Sequence, residues 1–172
     1  MMTMMNSHPA EMTRYGHAET PIGPLLLVAR EEGLAGIYPQ EHRCGPVPTE
    51  GWIHDESYFD RARGQLGEYF SGDRTSFDLP LHPEGSPFQL EVWAGLREIP
   101  YGETSSYGEL AQRIGRPGAA RAVGSANARN PLSIVVPCHR VIGADGGLTG
   151  YAGGIDTKAW LLEHERRVHT AR

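Results

Sequence analysis

A chain of 172 residues with 39% hydrophobic side chains suits one ordinary domain or two small ones and can build a packed core, so a soluble globular protein is expected. No apolar run reaches the length of a membrane span, the opening Met1-Met2-Thr3-Met4-Met5-Asn6-Ser7-His8 lacks the basic and apolar segments of a secretory signal, and two cysteines exclude a disulfide framework. The net charge of −5 argues at first against a nucleic-acid partner, but residues 1–85 hold 6 Arg against 13 acidic residues, whereas residues 86–172 hold 10 basic against 8 acidic. Residues 110–144 contain Arg113, Arg116, Arg121, Arg129 and Arg140 and no Asp or Glu, a local field that marks the second half as the binding half.

A cytoplasmic monomer with a loose N-terminus is expected. Residues 14–38 read as two or more strands of a small antiparallel sheet, with Pro24 to Ala29 as an apolar run and Arg30-Glu31-Glu32-Gly33 as a turn. The stretch from Pro39 to Gly51 is a loop. Its Cys44 reads as an exposed thiol without a role, and no further ligand pair accompanies His42 and Cys44, so no metal is expected. From Glu56 to Phe70, Phe59, Ala62, Leu66, Tyr69 and Phe70 recur at helical spacing and predict one helix covering the sheet. Thr75 to Leu81 alternates like an edge strand, and His82-Pro83-Glu84-Gly85 reads as a linker, giving domains over 1–82 and 86–172.

Ser86-Pro87-Phe88-Gln89 opens a helix: Ser86 caps, Pro87 sits where its missing N–H costs nothing, and Gln89 closes a capping box. Ser106 with Glu109 forms a second box, predicting a helix from Tyr107 to Ile114. After the turn Arg116-Pro117-Gly118, residues 119–129 predict another helix, and the pair reads as a helix-turn-helix. That helix is poor in apolar area: Ala119, Ala120, Ala122, Gly124 and Ser125 are small, and Arg121 and Arg129 are its basic members. It is either an interior helix pressed against the following strand or one laid close to a DNA backbone or minor groove, with Arg121 as a probe.

Ser133-Ile134-Val135-Val136 predicts a short buried strand ended by Pro137, delivering the thiol of Cys138 at its tip. Cys138 is either a small apolar filler or a nucleophile, because His139 and Arg140 can lower its pKa if they face the sulfur. Adjacent side chains of extended backbone point to opposite faces, so a direct sulfur–imidazole bond requires a turn at Pro137 or a bridging water. Gly143 to Gly154 is a glycine-rich loop, and Asp156 is expected to cap a last helix ending near Arg167. By position alone, Glu165 is a solvated partner of Arg166 and Arg167.

Pro137-Cys138-His139-Arg140-Val141, with Asn130-Pro131 before it and Tyr151-Ala152-Gly153-Gly154 and Trp160-Leu161-Leu162-Glu163-His164-Glu165 after it, resembles the active-site region of the O6-alkylguanine-DNA alkyltransferases. The likeness runs from about Ser86 to about Arg166. It implies an α/β fold in two parts: a small N-terminal antiparallel sheet with a covering helix, then a mostly helical domain holding the helix-turn-helix and a short strand bearing the reactive cysteine. It further implies that Cys138 takes the alkyl group, His139 is the base and Glu165 stands behind His139. Tyr107 would protonate the departing guanine, and Asn130 would brace the thiol-bearing segment. Val141, Tyr151, Ala152 and Gly153 would line the pocket, and Arg121 would enter the base stack of a flipped nucleotide. The implied partner is double-stranded DNA carrying O6-alkylguanine, with O4-alkylthymine as a second candidate lesion. No cofactor or membrane is implied, and a thioether at Cys138 has no chemical exit, so the protein would react once. Two rivals remain: a non-catalytic lesion-binding protein, which Cys138 weighs against, and a Cys-His-Glu hydrolase, which leaves Arg121 unexplained.

Overall fold

The computed structural model describes residues 12–31, 33–40, 42, 45–149 and 151–172; Cys44 and the N-terminal segment expected to be loose lie outside the described residues. Three strands, β1 (Arg14–Ala18), β2 (Leu25–Arg30) and β3 (Gly33–Pro39), form an antiparallel meander, and the two-residue β4 (Ile53–His54) adds parallel to β1. The order β3-β2-β1-β4 puts β2 in the interior. Its LLLVAR sequence lacks clean alternation: Leu25, Leu27 and Ala29 are buried on one face, and on the other Val28 is buried between half-buried Leu26 and Arg30. The predicted covering helix begins as a 3-10 turn (Glu56–Phe59) and continues as α1 (Asp60–Phe70), burying Phe59, Ala62, Leu66 and Tyr69. Gly16 on β1 permits this approach, because a Cβ there would meet the Phe59 ring at 2.8 Å.

Thr75–Leu81 is not the predicted edge strand. Leu81 makes one isolated bridge to Leu34, and upstream the Asp78 backbone bonds to the Gln65 side chain of α1 through N–H and C=O, each at 2.9 Å. A side chain thus takes the groups a ladder would have used.

The second half is mostly helical. Both predicted capping boxes are present, Ser86 with Gln89 opening α2 (Pro87–Leu96) and Ser106 with Glu109 opening α3 (Tyr107–Arg113). Just before α3, the short β5 (Ser105–Ser106) pairs in parallel with β6 (Val141–Ile142). After a turn with Gly115 and Gly118 at positive φ comes α4 (Ala120–Ala128), docked on α2 by a bond from Trp93 Nε1 to Ala126 O at 2.9 Å. The last helix, α5 (Ile155–Ala171), runs past the predicted end. Its N-cap is Gly154, at φ +99°, where an L side chain is disfavoured, and Asp156 occupies the first turn instead. There its charge still favours the helix N-terminus. Among the described residues no helix is long and apolar enough to cross a membrane.

Candidate active site

Residues 131–140 are all buried, but they do not run as the predicted strand. Asn130 organises them: its side-chain oxygen accepts from Leu132 N at 3.0 Å and its amide donates to Val136 O at 2.8 Å. With Val136 N on Leu132 O and Val135 N on Ser133 O, the segment closes on itself as a turn. Ile134 stands at φ +75°, a conformation that costs a β-branched residue about 1–3 kcal/mol and persists only where its surroundings enforce it. A buried apolar run announces burial, not extension, which is why the strand reading failed. Cys138 therefore sits on a 3-10 turn, Cys138–Arg140, that leads into β6. Two further groups fix it. Asn127 Nδ2 of α4 donates to Cys138 O at 3.3 Å, and β3 stitches the turn to the sheet through Ile37 N to Pro131 O (2.8 Å) and Ser133 N to Ile37 O (3.3 Å).

Behind the cysteine lies a carboxylate with a full set of donors. Glu165, 1% exposed, meets His139 Nε2 at 2.6 Å, Arg140 Nε at 2.8 Å and Nη2 at 3.1 Å, Tyr69 Oη at 2.6 Å and Gly102 N at 3.3 Å. Arg140 Nη1 also donates to Ile99 O at 2.7 Å. Burial alone would raise the Glu165 pKa, but the His139 and Arg140 donors beside it reverse this and hold it well below the carboxylate range. An ionised carboxylate only accepts, so His139 carries its proton on Nε2 and keeps the lone pair on Nδ1. Nδ1 is buried and has no protein partner among the described residues, which makes it the atom able to receive a proton. Burial lowers the His139 pKa against the opposing pull of Glu165, which favours the neutral imidazole.

His139 and Arg140 are expected to depress the thiol pKa if they face the sulfur, and Arg140 does not face it. Arg140 turns to Glu165, and burial pushes Cys138 up to about 11 against the Asn130 hydrogen bond and the charge of Lys158. The resting sulfur is a neutral thiol. Lys158, fully buried, donates to Val141 O and to Thr149 O at 2.8 Å, and burial lowers its pKa to about 8.

On the outer side, α4 has one buried face and one exposed face. Val123, Ala126 and Asn127 are buried, while Arg121, Ala122, Ser125 and Arg129 are exposed, with Ala119, Ala120 and Gly124 between. Tyr107, half-buried at the start of α3, donates to Thr149 O at 2.9 Å, and a Cβ on Gly124 would lie 3.7 Å from its ring. Val141, Tyr151 and Gly153 are buried and Ala152 is half-buried; a Cβ on Gly153 would meet Tyr151 at 2.9 Å and Pro39 at 3.1 Å. His139, Glu165, Asn130 and Cys138 thus converge, whereas Arg121 and Arg129 stand apart on the surface.

Sequence reasoning missed Tyr69, Asn127, Arg140 as the partner of Glu165, and Lys158. Lys158 carried a signal, being the one lysine of the chain on a helix with Trp160 and Leu161; Tyr69 looked like any core aromatic. Elsewhere His17, His54 and Glu56 approach one another, but all are exposed and the carboxylate is already engaged by both imidazoles, His17 N and Arg63.

Two family descriptions match the chain: the 6-O-methylguanine DNA methyltransferase DNA binding domain over residues 87–167 and the ribonuclease-like domain of the same family over residues 13–83. The chain is 52% identical over 151 residues to a methylated-DNA–protein-cysteine methyltransferase of Methanosarcina acetivorans, spanning 88% of this chain and 97% of that one. It is 53% identical over 156 residues to the protein of that name from Mycolicibacterium paratuberculosis, spanning 91% and 94%. Its fold is similar to the crystal structure of Mycobacterium tuberculosis OGT in complex with DNA, with a TM-score of 0.85 at 49% identity over 90% of this chain and 94% of that chain. With both halves matched and relatives more than half identical over most of its length, the chain belongs to the 6-O-methylguanine DNA methyltransferase family.

Proposed function

We propose that this protein repairs DNA by moving the alkyl group of O6-alkylguanine to its own Cys138, once per molecule, acting as a monomer in the cytoplasm. The observation that carries the reading is the buried turn that joins Cys138 to His139, an imidazole whose Nε2 is held by Glu165 and whose buried Nδ1 has no partner among the described residues and can take a proton. His139 accepts the thiol proton, directly or through one water, and Glu165 stabilises the imidazolium without taking the proton itself. The sulfur then attacks the alkyl carbon: a C–S bond forms, the bond from that carbon to guanine O6 breaks, and the electron pair leaves with guanine. Tyr107 supplies the proton that guanine takes up and regains one from solvent, while the imidazolium gives the thiol proton up to solvent, so one proton leaves the protein and one reaches the base. A nucleotide inside a duplex must first be extruded, at a cost of a few kcal/mol, and the exposed Arg121 on small-residue α4 is assigned to that step. Ala119, Ala120, Ala122, Gly124, Ser125 and Arg129 form the DNA-facing surface, and Val141, Tyr151, Ala152 and Gly153 the alkyl pocket. Asn130 braces the turn.

The test is stoichiometry. With limiting protein and excess O6-methylguanine duplex, methyl removed is expected to plateau at one per molecule; sustained turnover would overturn the reading in favour of a hydrolase. Arg121→Ala is expected to slow reaction with duplex DNA about tenfold or more while leaving reaction with a free O6-alkylguanine base unchanged, because only the flipping step loses support. Equal loss on both substrates would remove Arg121 from that step.

A further inference from the structure

The donors around Glu165 come from three parts of the chain, and one belongs to the N-terminal domain. Tyr69, at the end of α1, places its hydroxyl 2.6 Å from Glu165 Oε2, the same oxygen that meets His139 Nε2 at 2.6 Å. The tyrosine is itself immobilised. Its ring is fully buried beside Phe70, Phe77, Tyr101 and His164, and its carbonyl lies 2.8 Å from His164 Nε2 of α5. Next to it Phe70 packs on Trp160, which stacks on His164, so the end of α1 and the middle of α5 form one block.

We propose that Tyr69 is a positioning residue for alkyl transfer: its hydroxyl fixes the Glu165 carboxylate against His139, so that the reactive centre is completed only across the two domains. The inference rests on the reading of Cys138 as the alkyl acceptor. A carboxylate on a flexible glutamate stem has two oxygens to offer, and the Arg140 fork alone would hold it with either the same or a rotated face toward His139. The hydroxyl removes that freedom. Being neutral, it sets direction without competing for the negative charge that must stabilise the imidazolium, as a second arginine would. The other titratable or charged groups around the pair are Arg140, Tyr101, His164 and Lys158. The plainer alternative is that a buried tyrosine simply needs an acceptor and contributes only to packing.

The experiment uses the full chain and compares wild type, Tyr69→Phe, Glu165→Gln and the double variant. Tyr69→Phe keeps the ring and is expected to slow alkyl uptake about tenfold on both O6-methylguanine duplex and a free O6-alkylguanine base, the loss of one hydrogen bond to a charged group. Affinity for unmodified duplex should not change. In the Glu165→Gln background the same change should do almost nothing, since a residue acting through Glu165 has nothing left to act on. The Nε2 proton of His139, observed by NMR, should weaken or shift in Tyr69→Phe. A ring-difluorinated tyrosine in place of Tyr69 keeps ring and hydroxyl, and should move the same signal without loss of fold. An unchanged rate with a lowered melting point, multiplicative effects in the double variant, or an unmoved His139 signal each overturns the proposal. If the wild-type protein takes up no alkyl group, the reading of Cys138 fails first, and this inference with it.

Discussion

Two carboxylates in this molecule are ringed by the same kinds of donor, and they differ in depth. Glu56, at the edge of the N-terminal sheet, accepts from His17 N and Arg63 and meets the rings of His17 and His54, with its side chain 42% exposed. Glu165 has a histidine, an arginine, a tyrosine and a backbone N–H, and is 1% exposed. At the surface, water and salt share the work of solvating the charge, so the donors add little. In the interior the donors are the only solvent, and removing any of them strands the rest. By this contrast similar sets of residues make a replaceable brace in one place and an indispensable support of the candidate active site in the other.

The largest expected effect sharpens the contrast directly. Glu165→Ala leaves Arg140 as an unpaired buried cation and should destabilise the protein by about 3–5 kcal/mol in urea unfolding, besides abolishing alkyl uptake. A loss under about 1 kcal/mol would mean that water reaches the site and that the two carboxylates are alike.

Second in size is the effect of the reaction itself. Cys138 is 3% exposed and its carbonyl, backbone turn and neighbours are fixed, so an added methyl has to be forced into a packed site. Overpacking of that kind costs about 1–3 kcal/mol, and because the resting thiol is neutral no charge interaction is lost with it. The methylated protein should melt below the unmodified one in the same buffer. An equal or higher midpoint would show spare room around the sulfur.

The smallest effect is expected at Glu56. Its pKa is brought down to about 2: burial acts against the shift, and the hydrogen bonds from His54 and His17 produce it. A carboxylate with a depressed folded pKa stabilises above its unfolded pKa and loses that contribution as pH falls through the folded one. The window is therefore about 4.5 down to about 2. Because the group is largely exposed, Glu56→Gln should cost no more than about 1 kcal/mol at neutral pH, and high salt should erase the difference. A loss that survives high salt would break the comparison from the other side.

What the sequence made legible follows from how local each feature is. The two capping boxes and Pro87 at the helix start are encoded within four residues, and each appears as expected. The turn around Cys138 depends on the Asn130 side chain taking over backbone groups two and six residues away, which no periodicity records. Glu165 was visible only through the family resemblance, since by position it should have paired with its neighbours; in the helix Arg166 instead reaches Glu163, one turn back, and frees Glu165 to face inward. Tyr69 lies 96 residues from its partner and obeys the helical spacing of an ordinary core residue. Hydrophobic pattern tells that such a side chain is buried, and nothing in it tells what its hydroxyl touches.

The central claim is that the neutral thiol on this buried turn, and no other group, is the alkyl acceptor. Intact-mass measurement followed by peptide mapping after incubation with O6-methylguanine duplex tests it most directly. One methyl group, located on Cys138 and absent from a Cys138→Ser protein, is the expected result. A methyl on Cys44, more than one methyl per chain, or demethylated DNA with no methyl on the protein would contradict it.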